Sequence, residues 1–224
     1  MKDALYSSPP GQKIRAIIAR LKNKSFGSVS IRGIIRRTNY DLILLTRDSI
    51  TDDHIVALLS RWRKKHETWF PTQFPVTRKR TKGWLKNNVI NTQDRLLFMI
   101  RVHDTYIGHV GLYRFDFEKK TCEIDNIVRG RKGYPGLVTA AIRQMMQWGM
   151  STFGLNGYTL QTTSDNERAL RLYNKLGFVE TKRIRLIHRT TRDGGEWITA
   201  PMGYKRSIQR YDVFMKWKGI YEKA

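Results

Sequence analysis

The chain has 224 residues, long enough to bury a sizeable core without cross-links, and its single cysteine, Cys122, excludes an internal disulfide framework or a cysteine-cluster zinc site. It holds no run of roughly 18 apolar residues that would span a bilayer, and the opening MKDALYSSPPGQK lacks the apolar centre of a secretory leader, so a cytoplasmic location is expected. The 42 Lys and Arg against 19 Asp and Glu give a net charge of +23, which points to an anionic partner or substrate: nucleic acid, a membrane surface or a phosphorylated small molecule.

The excess is unevenly spread. Residues 1–47 hold ten basic and two acidic residues, 61–82 eight and one, and 182–224 eleven and four, while the middle of the chain is closer to balance. In 13–24, KIRAIIARLKNK, Ile14, Ile17, Ile18 and Leu21 recur at helical spacing among basic residues. Such a helix suits packing on a domain with a solvated basic face, or a membrane surface or nucleic acid. DLILLT then reads as a short buried strand. TDDHIVALLSRWRKKHETW reads as a helix with Thr51 as N-cap, acids in its first turn, and Ile55, Leu58, Leu59 and Trp62 on one face. The two prolines of FPTQFPVTRKRT mark a loop leading to a short helix at TKGWLKNNVI.

RLLFMIRV and YIGHVGLYRF, separated by HDT, form a predicted hairpin, and TCEIDNIV is a further strand. PGLVTAAIRQMMQWGMSTFG reads as a helix, GYTLQTT as a strand, NERALRLYNKLG as a helix stopped by Gly177, and FVETKRIRLIHR as a strand. TRDGGEW turns back, and RYDVFMKWK alternates like a last strand. Helices thus alternate with strands of a mixed sheet, with no repeats.

Between TCEIDNIV and the following helix lies RGRKGYPG, a glycine-rich basic loop of the kind that holds an anion at a helix N-terminus. On TCEIDNIV, Glu123 and Asp125 lie two residues apart and share a face, with Cys122, Ile124 and Val128 on the other. A carboxylate pair on a central strand is costly unless it faces a cleft or is paired.

The block TSDNERALRLYNKLGF, residues 163–178, resembles the last conserved segment of the GNAT superfamily of CoA-dependent N-acyltransferases: Asn166, then Ala169, Leu172-Tyr173 and Leu176-Gly177-Phe178. The resemblance covers roughly residues 42–216 and is strongest between about 96 and 180. It implies an α/β (α+β) GNAT fold, a mixed twisted sheet of about six or seven strands flanked by helices, over residues 41–218. A basic, partly helical extension (1–40) precedes the domain and a short tail (219–224) follows it.

The resemblance also implies acetyl-CoA as cosubstrate, no metal, and a direct ternary complex. Ile127 and Val128 end the strand along which CoA runs. The N–H groups of Tyr134, Gly136, Leu137 and Val138 face its pyrophosphate, with Arg131 and Lys132 adding charge. Asn166 meets the pantetheine arm and Tyr173 protonates the departing sulfur. The loop departs from the family pattern, because Tyr134 stands where the first glycine belongs and Pro135 removes a donor. Glu123 occupies the position often used by the general base, with Asp125 as rival and His109 as a third candidate, or as an acceptor contact.

The resemblance implies a primary amine as acceptor without naming it. The texture of 122–178 is similar to GNAT enzymes that acetylate amino sugars on nucleotide carriers for surface polysaccharides. In 63–84, Trp69, Phe70 and Phe74 beside Arg78, Lys79 and Arg80 suit a small anionic, nucleotide-linked amine. The alternatives are a protein N-terminal or lysine acetyltransferase of the ribosomal-protein type, and a nucleic-acid-directed GNAT domain or a simple RNA or DNA binder. A homodimer is compatible with all of these.

Overall fold

The computed structural model describes residues 10–219; residues 1–9 and, apart from Gly219, the expected tail 219–224 lie outside them. Ten strands form one sheet: β1 (Ser30–Ile35), β2 (Thr38–Leu44), β3 (Thr72–Gln73), β4 (Arg95–Val102), β5 (Thr105–Asp116), β6 (Thr121–Arg129), β7 (Gly157–Thr163), β8 (Phe178–Thr191), β9 (Gly194–Thr199) and β10 (Arg210–Trp217). Their order is β1-β2-β4-β5-β6-β7-β10-β8-β9-β3. This exceeds the expected six or seven strands by β1, β3 and β9. TRDGGEW does turn back, but its last four residues already belong to β9, which pairs with β8 from Leu186↔Thr199 to Thr191↔Gly194.

The helices are α1 (Pro10–Lys22), α2 (Asp53–Lys65), α3 (Arg78–Trp84), α4 (Leu137–Phe153) and α5 (Glu167–Lys175); α3 runs on into a π-helical turn, Leu85–Ile90. The cap of α2 is Asp52, whose carboxylate accepts from the N–H groups of His54 and Ile55, and not the expected Thr51. The helix also stops four residues before Trp69, and Glu67–Trp69 forms a 3-10 turn.

One face of the sheet carries α1, α4 and α5 over Phe98, Ile100, Leu112 and Ile124; the other carries α2 and α3 over Leu97, Met99 and Val128. The basic helix α1 is part of this packing: Ile14 and Ile18 are buried. The Lys22 ammonium donates to the carbonyls of Val89 and Thr92, both at 2.6 Å, and burial lowers its pKa to about 8. Residues 30–40, expected in the extension, form the β1–β2 hairpin instead.

One pairing positions everything that follows. All ladders are antiparallel except β6 with β7, which are parallel and matched only at Thr121↔Gly157, Cys122↔Tyr158 and Glu123↔Thr159. Beyond Glu123 the two strands part, while β7 runs on paired along its other edge with β10 as far as Thr163. The main-chain groups on that side of Ile124–Arg129 therefore have no strand partner and border a gap.

Candidate active site

The gap opens into a cavity of about 890 Å³ lined by residues from β5, β6, β7, β10, α2, α3, α5 and the start of α4. It brings together Glu123, Asp125, Ile127, Val128, Tyr134, Gly136, Leu137, Val138, Asn166, Tyr173, His109, Trp69 and Phe70. It does not bring in Arg131, Lys132 or Arg78, which stand outside the lining. Arg129, Arg168, Arg63 and Arg80 supply the charge instead.

The strand β6 reaches this cavity through a bulge. Asn126 has φ 49°, and the β5–β6 register shifts between His109↔Val128 and Gly111↔Asp125. A one-residue bulge exchanges the two faces of a strand. Val128, expected beside Cys122 and Ile124, therefore packs under α2, while Ile127 turns to the α4 side. The Asn126 carbonyl freed by the bulge lies 2.6 Å from His109 Nδ1. Burial pushes His109 down to about 4, so the ring is neutral and the Nδ1–H tautomer pins the bulge; as a base it is too weak for neutral pH.

Glu123 and Asp125 do share a face, but each is held differently. Asp125 Oδ2 accepts from Arg95 Nη2 at 2.7 Å and from Asn126 Nδ2 at 2.7 Å, and only 10% and 13% of the Asp125 and Arg95 side chains are exposed. Burial raises its pKa and Arg95 opposes the rise. Its other oxygen is buried without a partner and points at Gly111, where a Cβ would stand 2.6 Å away. Glu123, which lines the cavity, accepts from Arg114 Nη1 and Gln161 Nε2 at 3.0 Å each, both on Oε2, which leaves Oε1 without a hydrogen bond among the described residues. A third carboxylate, Asp212 of β10, lines the same space. The sequence reading passed over it, since RYDVFMKWK alternates like any half-buried strand; only the β7–β10 register sets it opposite Thr163.

The loop before α4 is fixed at its base and open at its tip. Gly130 and Arg131 donate backbone N–H groups to the Ile107 carbonyl at 2.8 and 2.9 Å. Lys65 Nζ donates to the Gly130 carbonyl at 3.1 Å, and His66 Nε2 lies 3.0 Å from the Arg129 carbonyl. Gly130 crosses directly over Trp62, where a Cβ would come within 1.9 Å of the indole. Arg129 Nη2 closes the turn onto the Gly133 carbonyl at 2.6 Å.

Gly133, Tyr134 and Gly136 have φ of 102°, 48° and 85°, so three of four successive residues are left-handed. This explains why a glycine is usual at the position of Tyr134. The Leu137 N–H is consumed by the Tyr134 carbonyl at 3.1 Å, so of the four expected donors it is not available. The first turn of α4 keeps Val138 and adds Thr139 in its place, unsatisfied N–H groups at the positive end of a 17-residue helix. That is the donor set a diphosphate fits.

On the far side, Asn166 caps α5, its Oδ1 accepting from Ala169 N at 3.3 Å. Its amide nitrogen remains for a ligand. Tyr173 packs edge-on to Phe178 at 6.4 Å, and burial holds its hydroxyl well above the usual range, so it is protonated at neutral pH. Arg63 stacks over Phe70 at 3.8 Å and Phe74 at 5.1 Å, which fixes the aromatics at that end of the cavity. Among the described residues no helix is long and apolar enough to cross a membrane, and no group of three His, Cys, Asp or Glu is placed to hold a metal.

Residues 44–179, over half of the chain, match the family described as acetyltransferase (GNAT) domain. No curated protein matches in sequence. Among solved structures, the chain is similar to a spermidine N-acetyltransferase from Vibrio cholerae in complex with CoA and spermine (16% identity, TM-score 0.59, covering 79% of this chain and 94% of that one). A probable GNAT-family acetyltransferase from Chromobacterium violaceum ATCC 12472 gives 18% identity and TM-score 0.60, covering 86% and 89%. RimL, a ribosomal L7/L12 α-N-protein acetyltransferase, gives 9% and 0.62, covering 86% and 97%.

Proposed function

The chain belongs to the acetyltransferase (GNAT) domain family and is an N-acetyltransferase of that type; from this premise we propose that it acetylates the primary amine of a small anionic acceptor, best matched by an amino sugar on a nucleotide carrier. The observation that carries the acceptor reading is the charge of the cavity wall away from the α4 and α5 termini: Arg63, Arg80, Arg95 and Arg114 against Glu123, Asp125 and Asp212. A wall with that balance repels a polycation such as a polyamine and attracts an amine that carries phosphate. Trp69, Phe70 and Phe74 line the same side and offer aromatic faces to a base or sugar ring.

Acetyl-CoA supplies the activated acetyl group as a thioester. The N–H groups of Tyr134, Gly136, Val138 and Thr139, with Arg129 beside them, hold its pyrophosphate, and the Asn166 amide its pantetheine arm. Ile127 and Val128 line the cavity beside the gap, where a main-chain donor to the developing oxyanion belongs. Glu123 Oε1 receives the acceptor's ammonium and orients its nitrogen towards the carbonyl carbon. As the C–N bond forms and the C–S bond breaks, Tyr173 gives its proton to the sulfur. The ammonium gives up two protons on becoming the amide: the first passes to a carboxylate of the acceptor wall before attack, and the second, lost once the C–N bond has formed, replaces the one Tyr173 has given to the sulfur.

A second reading, acetylation of a protein N-terminus, is supported by the likeness to the L7/L12 enzyme along 97% of that chain. An acetyl-CoA consumption screen against nucleotide-linked amino sugars, N-terminal peptides, polyamines and tRNA tests these together. Turnover confined to the amino sugars is the expected result; turnover confined to peptides, polyamines or tRNA would overturn the acceptor assignment. Failure to bind CoA in calorimetry would overturn the cavity's role itself.

A further inference from the structure

We propose that Asp212 is the general base: the carboxylate that takes the proton from the acceptor amine. This rests on the acetyl-transfer reading above and names the proton acceptor that reading leaves open. Three carboxylates face the cavity, and their partners separate them. Asp125 is committed to Arg95 and Asn126, and its remaining oxygen is sealed against Gly111. Glu123 is ion-paired with Arg114 and accepts from Gln161. A carboxylate bound to fixed donors is an anchored anion, suited to holding an ammonium in place; the proton falls to a carboxylate with no such partner.

Asp212 has no ion pair or side-chain hydrogen bond among the described residues, although it is half-buried. Thr163, opposite it in the β7–β10 ladder, leaves its own hydroxyl without a partner and does not bond to it. The charged groups acting on it come from three strands: Glu123 of β6, which disfavours its ionisation, and Arg114 of β5 and Lys182 of β8, which favour it. Strand β7, lying between, contributes only the neutral Gln161 and Thr163. Burial is the largest influence, Glu123 adds to it, and together they push the Asp212 carboxyl up to about 6. A base is most effective when its pKa lies near the working pH. Glu123 therefore has two effects: it draws the ammonium in, and its field raises the basicity of Asp212.

The sign of the pH dependence follows. A base acts ionised, so kcat/KM falls as pH drops through about 6. Stability runs the other way, since a carboxyl whose pKa is raised on folding favours the fold when protonated. The stability it gives at acid pH is lost as pH rises through about 6, so Asp212→Asn is expected to melt higher than wild type at neutral pH and above.

The decisive experiment pairs a carbon-13 NMR titration of the aspartate carboxyls with pH–rate profiles, using acetyl-CoA and a nucleotide-linked amino sugar. The expected results are a carboxyl midpoint near 6 that vanishes in Asp212→Asn, and a matching acid limb in the wild-type rates. Asp212→Asn should lose about 10²-fold or more in kcat with acetyl-CoA affinity within about twofold, and Asp212→Glu should regain part of the rate on a displaced limb. Glu123→Gln should keep an acid limb while raising KM. No aspartate titrating above about pH 5, or an Asp212→Asn enzyme with an unchanged limb, would overturn the assignment of the base. Loss of CoA binding by the wild type would instead indict the acetyl-transfer reading, and the NMR midpoint remains readable in either case.

Discussion

The two walls of the cavity are built from different materials. The cofactor wall, from Arg129 through the start of α4 and across to α5, is made of backbone: left-handed residues at 133, 134 and 136, helix-end N–H groups, and one capping asparagine. The acceptor wall is made of side chains drawn from separated segments: Arg63, Phe70 and Phe74 near α2, Arg95 on β4, Glu123 and Asp125 on β6, and Asp212 on β10. A backbone site is specified by a short run of residues and tolerates exchange of most side chains. A side-chain site is specified only by the register of strands far apart in sequence, and each member depends on its partner.

If that contrast holds, the largest stability effect belongs to the acceptor wall. Removing the guanidinium in Arg95→Met leaves the Asp125 carboxylate buried beside one amide donor, an unpaired charge that costs about 3–5 kcal/mol. Urea unfolding measures it, and the double change Arg95→Met with Asp125→Asn should recover most of the loss. A single variant as stable as wild type would mean the pair is solvated and the wall less dry than its burial implies.

On the cofactor wall, Tyr173 is the side chain proposed above as the acid. Tyr173→Phe should lower kcat about 10²-fold and leave acetyl-CoA affinity near its starting value, since the ring's packing on Phe178 is kept. Equal losses in kcat and in affinity would show the hydroxyl to be a binding group. Gly130→Ala attacks the backbone itself. A methyl directed at the Trp62 indole must displace either the loop or the helix beneath it, at about 1–3 kcal/mol. Calorimetry should find CoA binding weakened at least tenfold, because the donors at 134–139 move with the loop.

The same contrast explains what the sequence made legible. The block 163–178 is local: Asn166 caps, Tyr173 and Leu176 face inward, and Gly177 ends the helix at φ 88° within 12 residues. The β4–β5 hairpin follows from its short turn, and the two faces of Glu123 and Cys122 from alternation alone. The reading failed wherever pairing, and not composition, decides. β9 is a strand only because β8 and β3 flank it. Val128 changes face because Asn126 adds one residue to its strand. Arg80 lines the cavity and Arg78 does not, although both lie in one helical turn of α3 with the same charge. Asp212 is invisible in RYDVFMKWK because the neighbours that leave it unpaired are supplied by β5, β6 and β8.

The smallest expected effect bears on the residue where the loop leaves its family's pattern. Tyr134 holds a left-handed φ of 48°, a conformation that costs a residue with a Cβ about 1–2 kcal/mol and glycine nothing. Its ring is 37% exposed and its hydroxyl makes no hydrogen bond among the described residues. Tyr134→Gly therefore removes strain from the folded state and adds freedom to the unfolded chain, at about 0.5–1 kcal/mol. The two nearly cancel, so thermal unfolding should move by about 1 kcal/mol or less, in the stabilising direction. If the wall binds through backbone donors, CoA affinity should stay within about twofold, since the N–H at 134 is kept and only its side chain is lost. A tenfold loss would mean the exposed ring lies against the bound nucleotide, and that at this position a side chain has taken over from the backbone.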